Sequence, residues 1–302
     1  MSKVVLLHHD WEWTEKQISR ELQGQGIDFE TQDVRTVELQ ELTGRQVVIN
    51  RVYTSVANRD YPSVVKALAL VEKLSLRGVS CISGPRACKA DYDKYFACEV
   101  QKAAHVPIAR CQLIDSENLE TIDSGIKAFA KDVGYPVVLK PNTGGRGKDI
   151  HLLENIGQIE NALARIRESR RNSDYRGGWI IQKFIRTTRP YDCRIAVCSG
   201  KVVHAYRRTL IPTNGSIPWM GSRSLGSSLE DHVLEKEEEH VAIQGTAAIE
   251  ASFNMLDITF SERGPVVIEN NVTPNYRVEA VEERTDIFLN ELLQLVKRKL
   301  ND

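Results

Sequence analysis

At 302 residues the chain is long enough for two or three compact units, each with a substantial core. Apolar residues make up 41%, charged residues 27%, and the formal net charge is -1, so there is no polyanion bias and nucleic acid is set aside as a partner. Six cysteines (Cys81, Cys88, Cys98, Cys111, Cys193, Cys198) lack CxxC spacing, and the apolar run at 4–7 is too short for a secretion signal or a membrane span. Reduced thiols and a cytoplasmic location are expected, with no membrane partner.

Strand and helix alternate along the first ninety or so residues: strand 3–8, helix 13–22, strand 46–52, helix 62–76 and a short strand 79–82. Continuous apolar strands between helices predict a small parallel α/β domain. His8, His9 and Asp10 follow the first strand where a dinucleotide fold would carry glycines, so dinucleotide binding is not expected there. A helix over 91–104 ends before Val106-Pro107. Helix 123–133, strand 135–141, a glycine-rich stretch 142–148, strand 149–155, helix 156–171 and strand 179–185 follow. The run 192–208 holds two alternating strands about a Ser199-Gly200 turn. A polar loop 213–229 and a helix over 231–253 precede the last hairpin, and the acidic run 235–239 reads as a solvated face near that helix's amino end. The fold class is therefore α/β followed by α+β with antiparallel hairpins.

That hairpin reads FNMLDITF, SERG, PVVIENN. A three-residue loop of Glu262, Arg263 and Gly264, with Gly264 supplying positive φ, places Asp257 opposite Glu269. Asn271 shares the face of Glu269 by the two-residue period of a strand. Two carboxylates at opposed positions repel, and a divalent cation would relieve them. Two carboxylates and an amide oxygen suit magnesium, which keeps positions for water and nucleotide phosphate oxygens. The competing reading is a hairpin with a solvated polar face.

Lys140 ends an apolar strand and PNTGGRGK follows it, three glycines and a further lysine. Glycines let backbone amides approach phosphate oxygens, and a strand lysine supplies a point charge. The order of lysine and glycines differs from a Walker loop, and glycine-rich hairpins without ligands are common. Six arginines lie between 186 and 223 (Arg186, Arg189, Arg194, Arg207, Arg208, Arg223), and their forks suit carboxylate or phosphate oxygens, although any one of them is as readily solvated surface.

Taken in order, DKYF at 93–96, YPVVLKP at 135–141, TGGRGK at 143–148, IIQKFI at 180–185, DCR at 192–194, LDI at 256–258 and VVIENN at 266–271 resemble the ATP-grasp superfamily. Within it the chain is similar to the RimK-like branch of carboxylate-amine ligases. The resemblance implies an ATP-grasp fold with an N-terminal α/β domain at 1–90, a central lid-bearing subdomain at 91–185 and a C-terminal antiparallel-sheet subdomain at 186–302. It implies that Lys94 and Lys140 contact ATP phosphates, that Gly144, Gly145, Arg146 and Gly147 form the lid, that Gln182, Lys183, Phe184 and Ile185 line the adenine slot, and that Asp192 meets the ribose. Asp257, Glu269 and Asn271 fall on the magnesium ligands, with Mn2+ as a substitute cation. Arg208 lies where relatives steady an acyl phosphate, with Arg194 and Arg223 as further candidates. Two departures stand out: Lys183 replaces a common glutamate, and TPNY at 273–276 replaces a small-Pro-Gly ending.

The expected activity is ATP-dependent joining of a carboxylate to an amine through an acyl phosphate, with an amino acid or peptide as substrate. An ATP-grasp kinase acting on a small anionic hydroxyl compound is the alternative, and a module that binds ATP without chemistry is a third. Family members often self-associate, so a homo-oligomer is an open expectation.

Overall fold

A computed structural model describes residues 3–171, 174–175, 177–212, 217–221, 226–274 and 282–301, with side chains of the last segment described from 287. The chain begins with four parallel strands, β1 (Val4–His8), β2 (Phe29–Asp33), β3 (Val47–Asn50) and β4 (Ser80–Ile82), in the order β2-β1-β3-β4. Helices α1 (Trp13–Gly24), α2 (Leu39–Leu42) and α3 (Tyr61–Ser75) connect them. Val4 and Leu6 pack on Ile18 and Leu22 of α1, while Val5 and Leu7 pack on Val64 and Val71 of α3. Cover on both faces is why β1 reads as an unbroken apolar run. The edge strand β2, FETQD, is only half-buried and has no such run, so it is missing from the sequence reading.

The helix expected over 91–104 is two helices, α4 (Pro85–Tyr92) and α5 (Lys94–Ala103). Asp93 is extended (φ -131, ψ 96), and its Oδ1 accepts the Phe96 N–H at 2.8 Å. Capping the second helix requires a non-helical residue, and that breaks the first.

A second sheet follows: β5 (Cys111–Ile114), β6 (Val137–Pro141), β7 (His151–Leu153) and β8 (Trp179–Lys183), all antiparallel, in the order β5-β8-β6-β7. Helices α6 (Leu119–Val133) and α7 (Ile159–Arg171) cover one face, with Ile122, Ile126, Phe129 and Ile166 against Leu139, Trp179 and Ile181.

The third sheet contains β9 (Tyr191–Cys198) and β10 (Lys201–Thr209), which turn at Ser199 and Gly200, both at positive φ. After a small hairpin of β11 (Ile211–Pro212) and β12 (Pro218–Met220) come β13 (Leu229–Asp231), β14 (Phe253–Ser261) and β15 (Gly264–Asn271), giving the order β13-β10-β9-β14-β15. Helix α8 (Lys236–Ala248) packs Val241 and Ala242 on Cys193, Ile195 and Val197. The period of two sends Asp192 and Arg194 to the other face. Helix α9 (Glu282–Asn301) returns to the start of the chain, where Phe288, Leu292 and Val296 share a cluster with Ile18 and Leu22 of α1 and with Ala196 and Phe253 of the third sheet.

Two expectations for this region are corrected. The helix predicted over 231–253 is confined to α8, because Glu235 and Glu238 form a capping box, residues 229–231 pair as β13, and Glu250 has φ 56. Glu238 is not solvated either: at 1% exposure it accepts from Arg189 Nη1 at 2.7 Å and pairs with His232 Nε2 at 2.8 Å.

In the last hairpin the Asp257–Glu269 pairing is present, but the loop is different. Ser261 pairs with Gly264 around a two-residue Glu262-Arg263 turn, and the register holds to Ile258–Val267. A bulge between Asp257 and Ile258 then shifts it by one, so Asp257 faces Glu269 and Met255 faces Asn271. Gly264 does take positive φ, at 104°.

Candidate active site

A cavity of about 500 Å³ lies between the three sheets. The segment after the carboxyl end of β3 supplies Arg51, Tyr53, Thr54 and Ser55; the second sheet supplies Lys140 and Gln182; and the inner face of the third supplies Asp192, Arg194, Arg208 and Asp257. Its lining also includes Gly145, Arg146, Gly147, Lys183, Phe184, Ile185, Glu269 and Asn271. Fourteen sequence-proposed residues thus meet at one opening, and Lys94 and Gly144 sit behind it. Arg223 lies outside the described residues.

The third-sheet wall is a row of cross-strand charges. Register sets Arg208 opposite Asp192, Arg194 opposite Asp257, and Asp257 opposite Glu269. Both Asp192 oxygens accept from Arg208, at 2.7 and 2.8 Å, and both Asp257 oxygens accept from Arg194, at 2.6 and 2.7 Å. Arg208 Nη2 reaches Asp257 Oδ2 at 3.1 Å and links the two pairs. Such bidentate pairs fix both partners in plane. Burial alone would raise the Asp257 carboxyl, but Arg194 and Arg208 outweigh it and hold the group well below the usual range. Burial wins at Asp192, which is pushed up despite Arg208.

Glu269 is more open, with Lys94 Nζ 3.6 Å from its Oε1. Asn271 donates from Nδ2 to the Met255 carbonyl at 3.0 Å, which turns its amide about a fixed axis. The repulsion between Asp257 and Glu269 that the sequence assigns to a cation is thus already offset by Arg194, Arg208 and Lys94. Among the described residues no three His, Cys, Asp or Glu side chains converge as a metal cluster; the set is two carboxylates and an amide. That oxygen-only set, on the lining of a cavity that also holds Lys140, fits a hard cation sharing its shell with phosphate oxygens.

The opposite wall is built from loop and lysine. Lys140 is 5% exposed and has no hydrogen-bond or ion-pair partner among the described residues. Lys140 lines the cavity, so its charge is open to an anion that enters there. Lys94 Nζ donates to the Gly144 carbonyl at 2.6 Å; burial pushes its ammonium below the usual range, Glu269 opposes this, and Lys140 adds to it. The root of the glycine loop is tied to α5, with the Lys94 N–H on the Asn142 carbonyl at 3.1 Å and the Tyr95 N–H on Asn142 Oδ1 at 2.9 Å.

The loop itself leans on the first unit. Asn58 Nδ2 donates to the Gly145 carbonyl at 2.9 Å, Gly144 N–H to Thr54 Oγ1 at 3.3 Å, and Lys148 Nζ to the Asn58 carbonyl at 3.1 Å. Arg146 lies 5.4 Å above the Tyr53 ring and 3.7 Å from Glu12. Gly144 has φ 128, and a Cβ there would come within 2.8 Å of Asn58 Oδ1, so this turn needs glycine. Along 182–185 the N–H groups of Lys183 and Phe184 are taken by the carbonyls of Arg110 (2.8 Å) and Pro136 (3.3 Å), and the Lys183 side chain is exposed.

The sequence reading leaves out Thr54, Ser55 and Asn58, although ligands gather at carboxyl ends of parallel strands, and β3 ends just before them. It also leaves out Trp219, whose ring meets Phe184 edge-on at 6.4 Å; an indole in a polar loop was the available signal. No helix among the described residues is long and apolar enough to cross a membrane.

Known proteins match this architecture. A "Probable alpha-L-glutamate ligase" of Parasynechococcus marenigrum (strain WH8102) is 28% identical over 257 residues, covering 84% of this chain and 51% of that protein, so the chain spans about half of that relative's length. D-cycloserine synthetase DcsG superposes with a TM-score of 0.69 at 17% identity over 96% of this chain and 99% of that one. ATP-grasp ligase PsnB complexed with minimal precursor gives 0.64 at 16% identity, over 97% and 99%. These likenesses establish the ATP-grasp fold. The family profile of the RimK-like ATP-grasp domain matches residues 92–295, which contain both lysines, the glycine loop and the charged hairpin, and the chain belongs to that family.

Proposed function

We propose that the protein is an ATP-dependent carboxylate-amine ligase that forms an amide or peptide bond through an acyl phosphate. The observation that carries this reading is a partner-free, buried Lys140 facing, across one cavity, the oxygen set Asp257, Glu269 and Asn271 with Arg208 beside it. Lys94, Lys140 and the loop of Gly144, Gly145, Arg146 and Gly147 would hold the phosphates, Gln182, Lys183, Phe184 and Ile185 the adenine, and Asp192 the ribose. Asp257, Glu269 and Asn271 would hold Mg2+, or Mn2+ in its place, and the bound cation would neutralise phosphate charge.

The γ-phosphoryl group passes from ATP to a carboxylate oxygen, with Lys94 and Lys140 offsetting the charge on the moving group. ADP stays behind. An amine attacks the acyl carbon, and Arg208, kept in plane by Asp192 and Asp257, stabilises the oxyanion, with Arg194 bracing Asp257. Phosphate leaves with the bonding electrons, and the proton that the amine loses passes to the departing phosphate. The loop held by Thr54 and Asn58 keeps water away from the activated acid. This reading retains the divisions near 90 and 185, with Arg223 as a further candidate for the incoming carboxylate. The α-L-glutamate ligase relative makes L-glutamate the first amine to try, with an amino acid or peptide as acid. Six free thiols suit the cytoplasm, and self-association is retained.

The test is ADP release over pairs of acids and amines, with product mass and hydroxylamine trapping. A hydroxamate that depends on ATP and acid supports the ligase; a stable phosphorylated product without hydroxamate replaces it with the kinase.

A further inference from the structure

Asp91, in the last turn of α4, is 3% exposed and has no basic side chain within ion-pair distance among the described residues. A buried carboxylate without a cation is expensive and needs good donors. It has two, both from a segment more than 180 positions later: Oδ1 accepts the Val272 N–H at 2.9 Å, and Oδ2 accepts the Thr273 hydroxyl at 2.7 Å. Those residues directly follow Asn271. Upstream, the Asn271 N–H is held by Asn254 Oδ1 at 3.1 Å and its Nδ2 by the Met255 carbonyl. Asn254 is fully buried and bonds Asn270 Oδ1, which Gln101 of α5 also holds at 3.0 Å.

The sheet therefore fixes Asn271 from one side and Asp91 from the other. Asp91 also lies two residues before Asp93, the cap of the helix that begins with Lys94. One short stretch, 91–94, thus grips both the end of β15 and, through Asp93 Oδ1 on Asn142 Nδ2 at 3.0 Å, the root of the glycine loop. Thr273 supplies the hydroxyl this grip uses, and both Asp91 and Thr273 line the cavity.

We propose that Asp91 is a positioning residue for the metal end of the site: by holding Val272 and Thr273 it sets where Asn271 presents its amide oxygen relative to Lys94. This rests on the reading of Asn271 as a ligand of Mg2+. Groups that orient metal ligands typically change metal affinity about 10–100-fold when altered. A purely structural role would change melting temperature and leave the cation requirement alone.

Calorimetric titration of the whole chain with ADP, in EDTA and over a Mg2+ series, tells them apart. Asp91→Asn keeps the shape but replaces one acceptor oxygen with a donor. It should bind ADP in EDTA about as wild type does, while the Mg2+ concentration for half-maximal tightening rises about tenfold. Thr273→Val, which removes one donor and keeps Asp91, should shift it in the same direction by less, and it decides the question if Asp91→Asn does not fold. Wild-type Mg2+ dependence in a folded Asp91→Asn, or in Thr273→Val when that variant decides, overturns the proposal. If the wild type itself binds ADP identically with and without Mg2+, the Mg2+ reading of Asn271 falls and takes this assignment with it, a result distinct from an altered variant.

Discussion

The two walls of the cavity are stabilised in opposite ways. On the third sheet each charge is matched: Asp192 with Arg208, Asp257 with Arg194 and Arg208, Glu269 with Lys94. On the loop side Lys140 has no partner among the described residues, and the glycine stretch is held by single hydrogen bonds to another unit. The matched wall is preorganised and resists change, whereas the unmatched wall leaves a cation open to a polyphosphate. Folding and function should therefore separate across the cavity.

Removing Arg208 should break the comparison most severely. Arg208→Ala should lower kcat for ADP release by about 10²–10³-fold, the usual effect of losing an oxyanion donor. It should also cost about 3–5 kcal/mol of stability in denaturant melts, because Asp192 is left buried and unpaired. Arg208→Lys should not restore activity, since an ammonium cannot span both carboxylate oxygens. Lys140→Met should show the reverse pattern: kcat/KM for ATP falling about 10²-fold with stability about unchanged, because no hydrogen bond or ion pair with the described residues is lost. A large stability loss there would show that Lys140 is matched after all.

Asn58→Ala tests the loop's outer hold. One neutral hydrogen bond is worth about 1 kcal/mol, so KM for ATP should rise about fivefold, with more ADP released per amide formed. The last test concerns pH. Burial is the largest influence on Asp91 and raises it to about 6, against bonds from Thr273 and Val272 that lower it. A carboxyl raised on folding holds its proton longer in the native state, so stability falls as pH climbs from the unfolded value near 4 to about 6. The melting temperature of the wild type relative to Asp91→Asn should drop across that window, by about 4–8 °C at most for a shift of this size. A difference flat with pH would contradict the burial of this carboxyl.

Legibility in the sequence followed local physics. Strands buried on both faces, such as β1 and β6, show as apolar runs, and α3 shows from Pro62, whereas α6 starts at Leu119 behind its cap Asn118, ahead of the expected 123. The half-buried edge strand β2 and the short β13 carry no such pattern. A three-residue loop and a two-residue turn with a bulge both set Asp257 opposite Glu269; the chain takes the second, and no spacing rule distinguishes the two. Asp192 and Arg194 were legible as residues but not as partners, because pairing with Arg208 and Asp257 depends on which strands lie side by side. The hold of Asn58 on Gly145 and of Asp91 on Thr273 spans 87 and 182 positions, beyond any sequence period.

The most direct measurement is ATP-dependent hydroxamate formation by Asp257→Asn/Glu269→Gln, which keeps the shape of the hairpin and removes its negative charge, with folding checked by circular dichroism. The account predicts a fall of at least about a thousandfold in rate at saturating Mg2+ and ATP. A folded double variant that still traps hydroxamate at the wild-type rate would contradict it.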